Sequence, residues 1–209
     1  MFWLTVVENI IVLAKAIPAI SPMHGEITCV AGIAEDETWR RLHPVPTNLL
    51  GQSYFKKFDV INVELDLWKG QHPRPEDRFL VNYNGRVKEI ADWEQRRSYL
   101  SKFLDTSINS ILSSGRSLGI IKPNIIDFYK DRNERCRYKF IDADGIEYDL
   151  VCREWETSAL AAKYPTNFDK VHVKFCDWMK ERDTYFVIGT TADNVTKMGV
   201  AVHYPPKRT

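Results

Sequence analysis

Apolar residues in this chain come in short β-branched runs towards both ends and at helical spacing in the middle. Ile10-Ile11-Val12-Leu13-Ala14 reads as a buried strand, followed by a loop punctuated by Pro18 and Pro22. Residues 27–33 predict a second strand. Residues 39–42 predict a third, which Pro44 and Pro46 should end because proline cannot donate to a sheet ladder. From Val60 to Leu67 polar and apolar residues alternate, the period of a strand with one wet face, and residues 79–83 predict a fifth. Five short strands in about 80 residues point to a small closed barrel.

Between Ile90 and Leu112 there is neither proline nor glycine, and Trp93, Arg97, Leu100 and Leu104 fall at helical spacing. This predicts a helix over 89–103 and a shorter one reaching Ser113, closed by Gly115 in a left-handed cap. Strands return at 118–122 and 125–129, then as a hairpin of 138–141 and 146–151 across Asp142-Ala143-Asp144-Gly145. Residues 154–163 predict a helix, 184–189 and 198–204 two last strands, and Pro205-Pro206 a stop; 168–182 receives no assignment. The expected fold is mainly β with a helical connector: a barrel over 1–88, the connector over 89–115 and a second barrel over 116–209. Trp93, Leu100 and Leu104 are expected to bury an apolar face of the connector against the barrels.

Composition narrows the function classes only a little. Twenty-nine Lys and Arg against 28 Asp and Glu give +1, and neither half is polarised: 13 basic and 14 acidic residues precede Gly115, 16 and 14 follow it. That excludes histone-like binding driven by bulk charge. Cys29, Cys136, Cys152 and Cys176 stand far apart in apolar or aromatic contexts, without the paired spacing of a zinc site. They read as buried free thiols of a reducing compartment, and a cytoplasmic location is expected. Glu8 interrupts the apolar opening, which lacks a basic flank, and no run reaches the roughly 18 apolar residues of a membrane span.

Several groups of motifs resemble one family. These are Val12-Leu13-Ala14-Lys15, the runs 26–33 and 39–46, Phe55-Lys56-Lys57-Phe58-Asp59-Val60-Ile61, Arg74-Pro75-Glu76-Asp77, the run 117–123, Trp155-Glu156, the run 185–190 and Tyr204-Pro205-Pro206. In this order they resemble the small prokaryotic proteins described as dual OB-containing. Ile17-Pro18-Ala19-Ile20-Ser21-Pro22 departs from that pattern, as does 168–182. The resemblance implies two small OB-like β-barrels packed together. It also implies a place in prokaryotic, anti-phage conflict systems beside an ATPase or nuclease, and it carries no catalytic residues.

No phosphate loop, dinucleotide fingerprint, nucleophile elbow or zinc-protease helix is present. Asp142, Asp144 and Glu147 faintly resemble a calcium loop but read better as a Gly-containing β-turn. Asp66, Glu76 and Asp77 would hold a nuclease metal only if folding gathered them. His43 reads as a hydrogen-bonded strand-end histidine rather than a catalytic base. No catalytic residue, metal or cofactor is therefore expected.

Nucleic-acid binding on a barrel needs rings for bases to stack on and cations along the phosphate track. Trp39 and Arg41 share a strand face by alternation, Tyr54, Lys56 and Lys57 form a second cluster, and Lys130, Arg132, Arg135, Arg137 and Lys139 form a third. The third holds five cations against Asp131 and Glu134 in ten residues, the most basic window of the chain. For each cluster a solvated surface is the plainer alternative. The leading expectation is a non-catalytic subunit presenting single-stranded DNA or RNA to a partner ATPase or nuclease. The alternative is an adaptor that docks an effector enzyme without touching nucleic acid, which six tryptophans would suit.

Overall fold

The structure, a computed structural model, describes residues 5–50, 54–67, 74–163, 168–191 and 195–206. The chain divides into two compact units, 1–96 and 97–209. The first contains β1 (Thr5–Lys15), β2 (Ala19–Ser21), β3 (Gly25–Ala34), β4 (Trp39–Pro46), a 3-10 turn (Thr47–Leu50), β5 (Asp59–Leu67) and β6 (Asp77–Glu89). The helix α1 (Trp93–Lys102) spans the division. The second unit continues with α2 (Ile108–Ser113), β7 (Leu118–Ile121), β8 (Asn124–Lys130), β9 (Cys136–Ile141) and β10 (Glu147–Cys152). It ends with α3 (Trp155–Lys163), α4 (Phe168–Lys180), β11 (Tyr185–Thr190) and β12 (Lys197–His203).

The first sheet runs β1-β5-β6-β4-β3-β2, and β1 also pairs with β3, so five strands close into a barrel. Every neighbouring pair is antiparallel except β4–β6. Leaving aside the short β2, which only extends β3 into a hairpin, the closed order by position is first-second-third-fifth-fourth. That is the Greek-key order of an OB-fold. β1 serves two partners by using its N-terminal part against β5 and its C-terminal part against β3, with a bulge between Val12 and Ala14. Ile10, Val12, Val30, Leu42, Ile61, Val63 and Leu65 are buried, the side chains of a filled rather than hollow barrel.

The second unit repeats the connectivity. Its sheet runs β7-β11-β12-β10-β9-β8, with β10–β12 the parallel pair. β7 and β8 are the two halves of one first strand: the β7 half pairs with β11 and the β8 half with β9. The break between them falls at Lys122-Pro123, where proline lacks the ladder donor. Phe128, Tyr138 and Leu150 form an inward row across β8, β9 and β10, and Phe168, Phe175 and Met179 of α4 join that core. Phe175 meets Phe128 edge-on at 5.1 Å between ring centres. At the base of the row the Tyr138 hydroxyl lies 3.2 Å from Thr157 Oγ1 and 3.4 Å from Glu154 Oε2, with Glu154 Oε1 accepting from Val202 N–H. Burial lifts the Tyr138 hydroxyl well above its ordinary range and the neighbouring Cys152 thiol up to about 12.

The mainly β class and the OB-like barrels agree with the sequence reading, while some element boundaries differ. β4 does not stop at Pro44: Val45 and Pro46 still pair with Thr28 and Ile27 after a register shift. The prolines are tolerated because the ladder to β6 ends at His43–Phe79, so no donor is required of Pro44 on that side. The expected helix start at 89 is strand instead, since β6 runs to Glu89 against Asp59. The connector is made of α1 and α2, and Ser107 starts the second with a reciprocal hydrogen-bond pair to Ser110. Leu100 of α1 is buried as expected, Trp93 is half-buried, and Leu104 lies outside the helix at 41% exposure. β2 lies where the sequence predicts a proline-punctuated loop, and α4 where it predicts no element. Among the described residues no helix is long and apolar enough to cross a membrane.

Gly32 marks the tightest approach of β1 to β3: a β-carbon there would lie 2.2 Å from the carbonyl oxygen of Ile11. Because the obstacle is backbone, it cannot rotate away, and Gly32→Ala should destabilise the first unit by about 3 kcal/mol. An unshifted urea midpoint would mean that barrel closure does not depend on this close approach.

Candidate nucleic-acid interface

In an OB-fold the second and third strands and the loops joining first to second and fourth to fifth strands form the ligand face. In the second unit those strands are β9 and β10, and the first of those loops is the turn 131–135. Residues 131–139 therefore fall on the recognition strand and its loop, and Lys130 ends β8 beside them. Alternation turns Cys136, Tyr138 and Phe140 inward, leaving Arg137 and Lys139 on the outer face. Register sets Tyr129, Arg137 and Val151 in one row across the three strands and Asp127, Lys139 and Asp149 in the next.

The turn is held by Asp131. Its Oδ1 accepts from the backbone N–H of Asn133 at 2.8 Å and of Arg135 at 3.1 Å, while its own N–H donates to Arg135 O. Glu134 takes the left-handed conformation, with φ of 60°. Arg132 and Asn133 sit exposed at the tip. Arg132 makes no ion pair among the described residues.

The other four cations are paired. Lys130 Nζ lies 3.2 Å from Glu134 and 4.7 Å above the Phe168 ring, and Arg135 pairs with Asp131 at 2.9 Å. Arg137 Nε donates to Asp149 Oδ1 at 2.7 Å, and Lys139 Nζ lies 3.0 Å from Glu147. Tyr129 completes the group, its hydroxyl donating to Asp149 Oδ2 at 2.6 Å. The Glu147 carboxylate holds the Lys139 ammonium above its ordinary pKa, and the bond to Asp149 does the same for the Tyr129 hydroxyl. Partial desolvation pulls the Arg137 guanidinium down, but the bond and charge of Asp149 together with Tyr129 outweigh it and leave it raised. Asp131 and Glu134 thus pair with two of the window's cations, and Asp149 and Glu147 of β10 with two more. Those carboxylates lie across a hairpin, so counting neighbours in sequence misses them.

The corresponding strands of the first unit, β3 and β4, present a different face. Trp39 and Arg41 do share one side of β4, but each is only 5% exposed. Trp39 stands in register with Ile33, and Ile33 with Ile11. Arg41 pairs with buried Asp77 at 3.2 Å, which Arg74 also holds at 2.8 Å. Arg40, on the opposite side, is clamped by Glu8 and by Asp36. These two sequence-predicted residues are therefore interior groups and offer no surface to a ligand. Tyr54, Lys56 and Lys57 lie in the connection between the third and fourth barrel strands, outside β3 and β4. Tyr54 is 42% exposed with its carbonyl accepting from Tyr83, and Lys56 pairs with Glu89 at 3.4 Å.

Asp66, Glu76 and Asp77 are all buried, and the cations beside Asp77 are arginines. Among the described residues no group of three His, Cys, Asp or Glu is disposed to hold a metal ion. His43 is half-buried within β4, its Nδ1 3.4 Å from Cys29 Sγ. Burial raises the Cys29 thiol despite Arg41 and Arg74 nearby, so this pair lacks a ready thiolate. Asp142 accepts from the N–H groups of Asp144 and Ile146 with one oxygen and of Ile108 with the other, which makes 142–145 a structural turn tied to the start of α2.

Residues 6–102 match a family described as a domain of unknown function, DUF8758. None of the curated proteins matches the chain. Among solved structures, it is similar to a murine DNA binding protein bound with double-stranded DNA, at 10% identity, covering 98% of this chain and 99% of that one, with a TM-score of 0.33. A deletion mutant of the single-stranded DNA binding protein from Thermus aquaticus gives 12% identity, 99% and 97% coverage and a TM-score of 0.27. The OB assignment rests on the strand order itself.

Asp36 shows how firmly the Arg40 group is held. The Thr38 hydroxyl at 2.7 Å, assisted by Arg40 and the Thr38 N–H, outweighs partial desolvation and lowers the carboxyl from 3.8 to about 2. A depressed carboxyl contributes stability above its unfolded pKa and loses it as pH falls through the folded value. Stability should therefore decline between pH values of about 4 and about 2, and Asp36→Asn should flatten that part of the profile. A carboxyl carbon of Asp36 titrating near 4 by NMR would contradict the clamp.

Proposed function

We propose that this protein is a non-catalytic single-stranded nucleic-acid-binding subunit whose ligand face is β9, β10 and the turn 131–135 of the second barrel. The observation that carries the reading is the placement of Arg132, Arg135, Arg137 and Lys139 on the recognition strand and its adjoining loop, with Lys130 beside them at the end of β8. An exposed Arg132 at the loop tip gives phosphates a first contact, and Tyr129 beside Arg137 gives a ring on which a base can stack. Trp39 and Arg41 are left out because they are buried; Tyr54, Lys56 and Lys57 are at most an accessory surface. The resemblance to dual OB-containing proteins supports a cytoplasmic, anti-phage complex in which the bound strand is passed to a partner ATPase or nuclease. The dense ion pairing of the face gives the adaptor reading its own foothold, since a near-neutral surface suits a protein partner too.

Replacing Arg132, Arg135 and Arg137 together by glutamate should abolish most binding to oligonucleotides and lower the salt slope by about one unit for each phosphate no longer neutralised. Arg132→Glu alone breaks no ion pair among the described residues and should weaken binding in the same sense without disturbing the fold. A native triple variant that binds with an unchanged salt slope would move the interface elsewhere. Wild-type protein that shifts no oligonucleotide even at low salt would favour the adaptor.

A further inference from the structure

We propose that Asp149 and Glu147 of β10 stand in for backbone phosphates on the second barrel, occupying Arg137 and Lys139 until a nucleic-acid strand displaces them, and so set the protein's affinity. This rests on the proposed nucleic-acid reading and names the residues that tune it.

The geometry is that of an occupied anion site. Asp149 is bound through both oxygens, Oδ1 by Arg137 Nε at 2.7 Å and Oδ2 by the Tyr129 hydroxyl at 2.6 Å. The Arg137 guanidinium also donates to the Asp149 carbonyl at 2.6 Å and faces Asp131 at 3.7 Å. Glu147 occupies Lys139 at 3.0 Å. A phosphodiester carries the same charge and offers oxygens of the same hydrogen-bonding kind, so each carboxylate fills a position that a phosphate would take. Tyr129, Arg137, Lys139, Glu147 and Asp149 all lie on the outer face of one three-stranded patch.

Magnitudes make the exchange feasible. The Asp149 and Glu147 side chains are 40% and 53% exposed against 19% and 37% for Arg137 and Lys139, so water reaches the carboxylate of each pair, and surface pairs contribute only about 0–1 kcal/mol. Displacing them is therefore cheap, and phosphate contacts can replace them almost one for one. The cost appears instead in the local field. Across this patch Lys130, Arg132, Arg135, Arg137 and Lys139 are balanced by Asp127, Asp131, Glu134, Glu147 and Asp149, leaving no net charge to draw a strand in. Removing the two β10 carboxylates leaves a surplus of two positive charges and frees the cations of the central strand. Tyr129, no longer tied to a carboxylate, keeps its place in the Arg137 row.

The test compares wild type with Asp149→Asn/Glu147→Gln, both near-isosteric, by fluorescence anisotropy on labelled oligo-dT and oligo-U of about 20 nucleotides, enough to span one barrel. Between about 50 and about 200 mM salt the double variant should bind roughly five- to tenfold more tightly, with a steeper salt slope. The DNA and RNA arms show which polymer gains. Circular dichroism and melting temperature check the fold, and Glu147→Gln alone, at the carboxylate paired with Lys139, serves if the Asp149 change unfolds the protein. Equal or weaker binding by a folded variant, while the triple glutamate variant still abolishes wild-type binding, overturns this inference and leaves the proposed function standing. If neither wild type nor variant binds either oligonucleotide, both fall.

Discussion

The constraint on which the rest of this structure depends is a parallel strand pair that appears once in each barrel, β4 with β6 and β10 with β12. Two parallel neighbours cannot be joined by a tight turn, so the chain must leave the barrel, place another strand, and return. In the first unit the excursion is the 3-10 turn and β5; in the second it is α3, α4 and β11. The strand laid down on the way pairs with the last strand on one side and with the first on the other, which closes the cylinder. That closure forces the first strand to serve two partners. β1 does it with a bulge, whereas the second unit breaks the strand at Pro123. Everything attributed to the ligand face, including which residues of β9 point outward, follows from that closed register.

Much of this was legible because the barrel strands write their period into the sequence. Val60 to Leu67 alternates, and β5 spans it; the hairpin across Gly145 emerges where the turn residues stand, with Gly145 at a φ of 77°. The failures have physical causes. β6 is longer than its apolar stretch because Asn82 and Asn84 bond to one another and onward to Asn62 and Asn9, so polar side chains bridge strands where apolar ones were sought. β2 is three residues of a proline-rich loop, long enough to pair with β3 and too short for any period to show. α4 was open to detection, since Phe168, Phe175, Cys176 and Met179 recur on one helical stripe and all are buried. Only its heavily charged intervening residues hid it.

The candidate site was half legible for a reason of the same kind. Sequence adjacency locates cations, while their partners are chosen by register. Arg137 and Lys139 could be placed on one face by alternation, but Asp149 and Glu147 reach them only through the β9–β10 pairing. In the first unit alternation also correctly put Trp39 and Arg41 together. What alternation cannot say is whether a strand has one wet face or none, and nearly all of β4 is buried.

The contrast between the barrels then becomes an argument about exchange. An arginine stays charged at any accessible pH, so burying one demands a fixed anion, and Arg41 has Asp77 within a cluster that both Arg74 and the backbone support. Removing such an anion strands a charge in the interior, which costs about 3–5 kcal/mol, so that pair is permanent architecture. Arg137 and Lys139 meet similar carboxylates at similar distances, but in contact with water, where losing the partner costs little because solvent takes its place. Identical chemistry is therefore locked in one barrel and replaceable in the other. Under the proposed function, a protein carrying a net charge of only +1 would hold a polyanion through cations whose present partners are weak enough to be exchanged for phosphate.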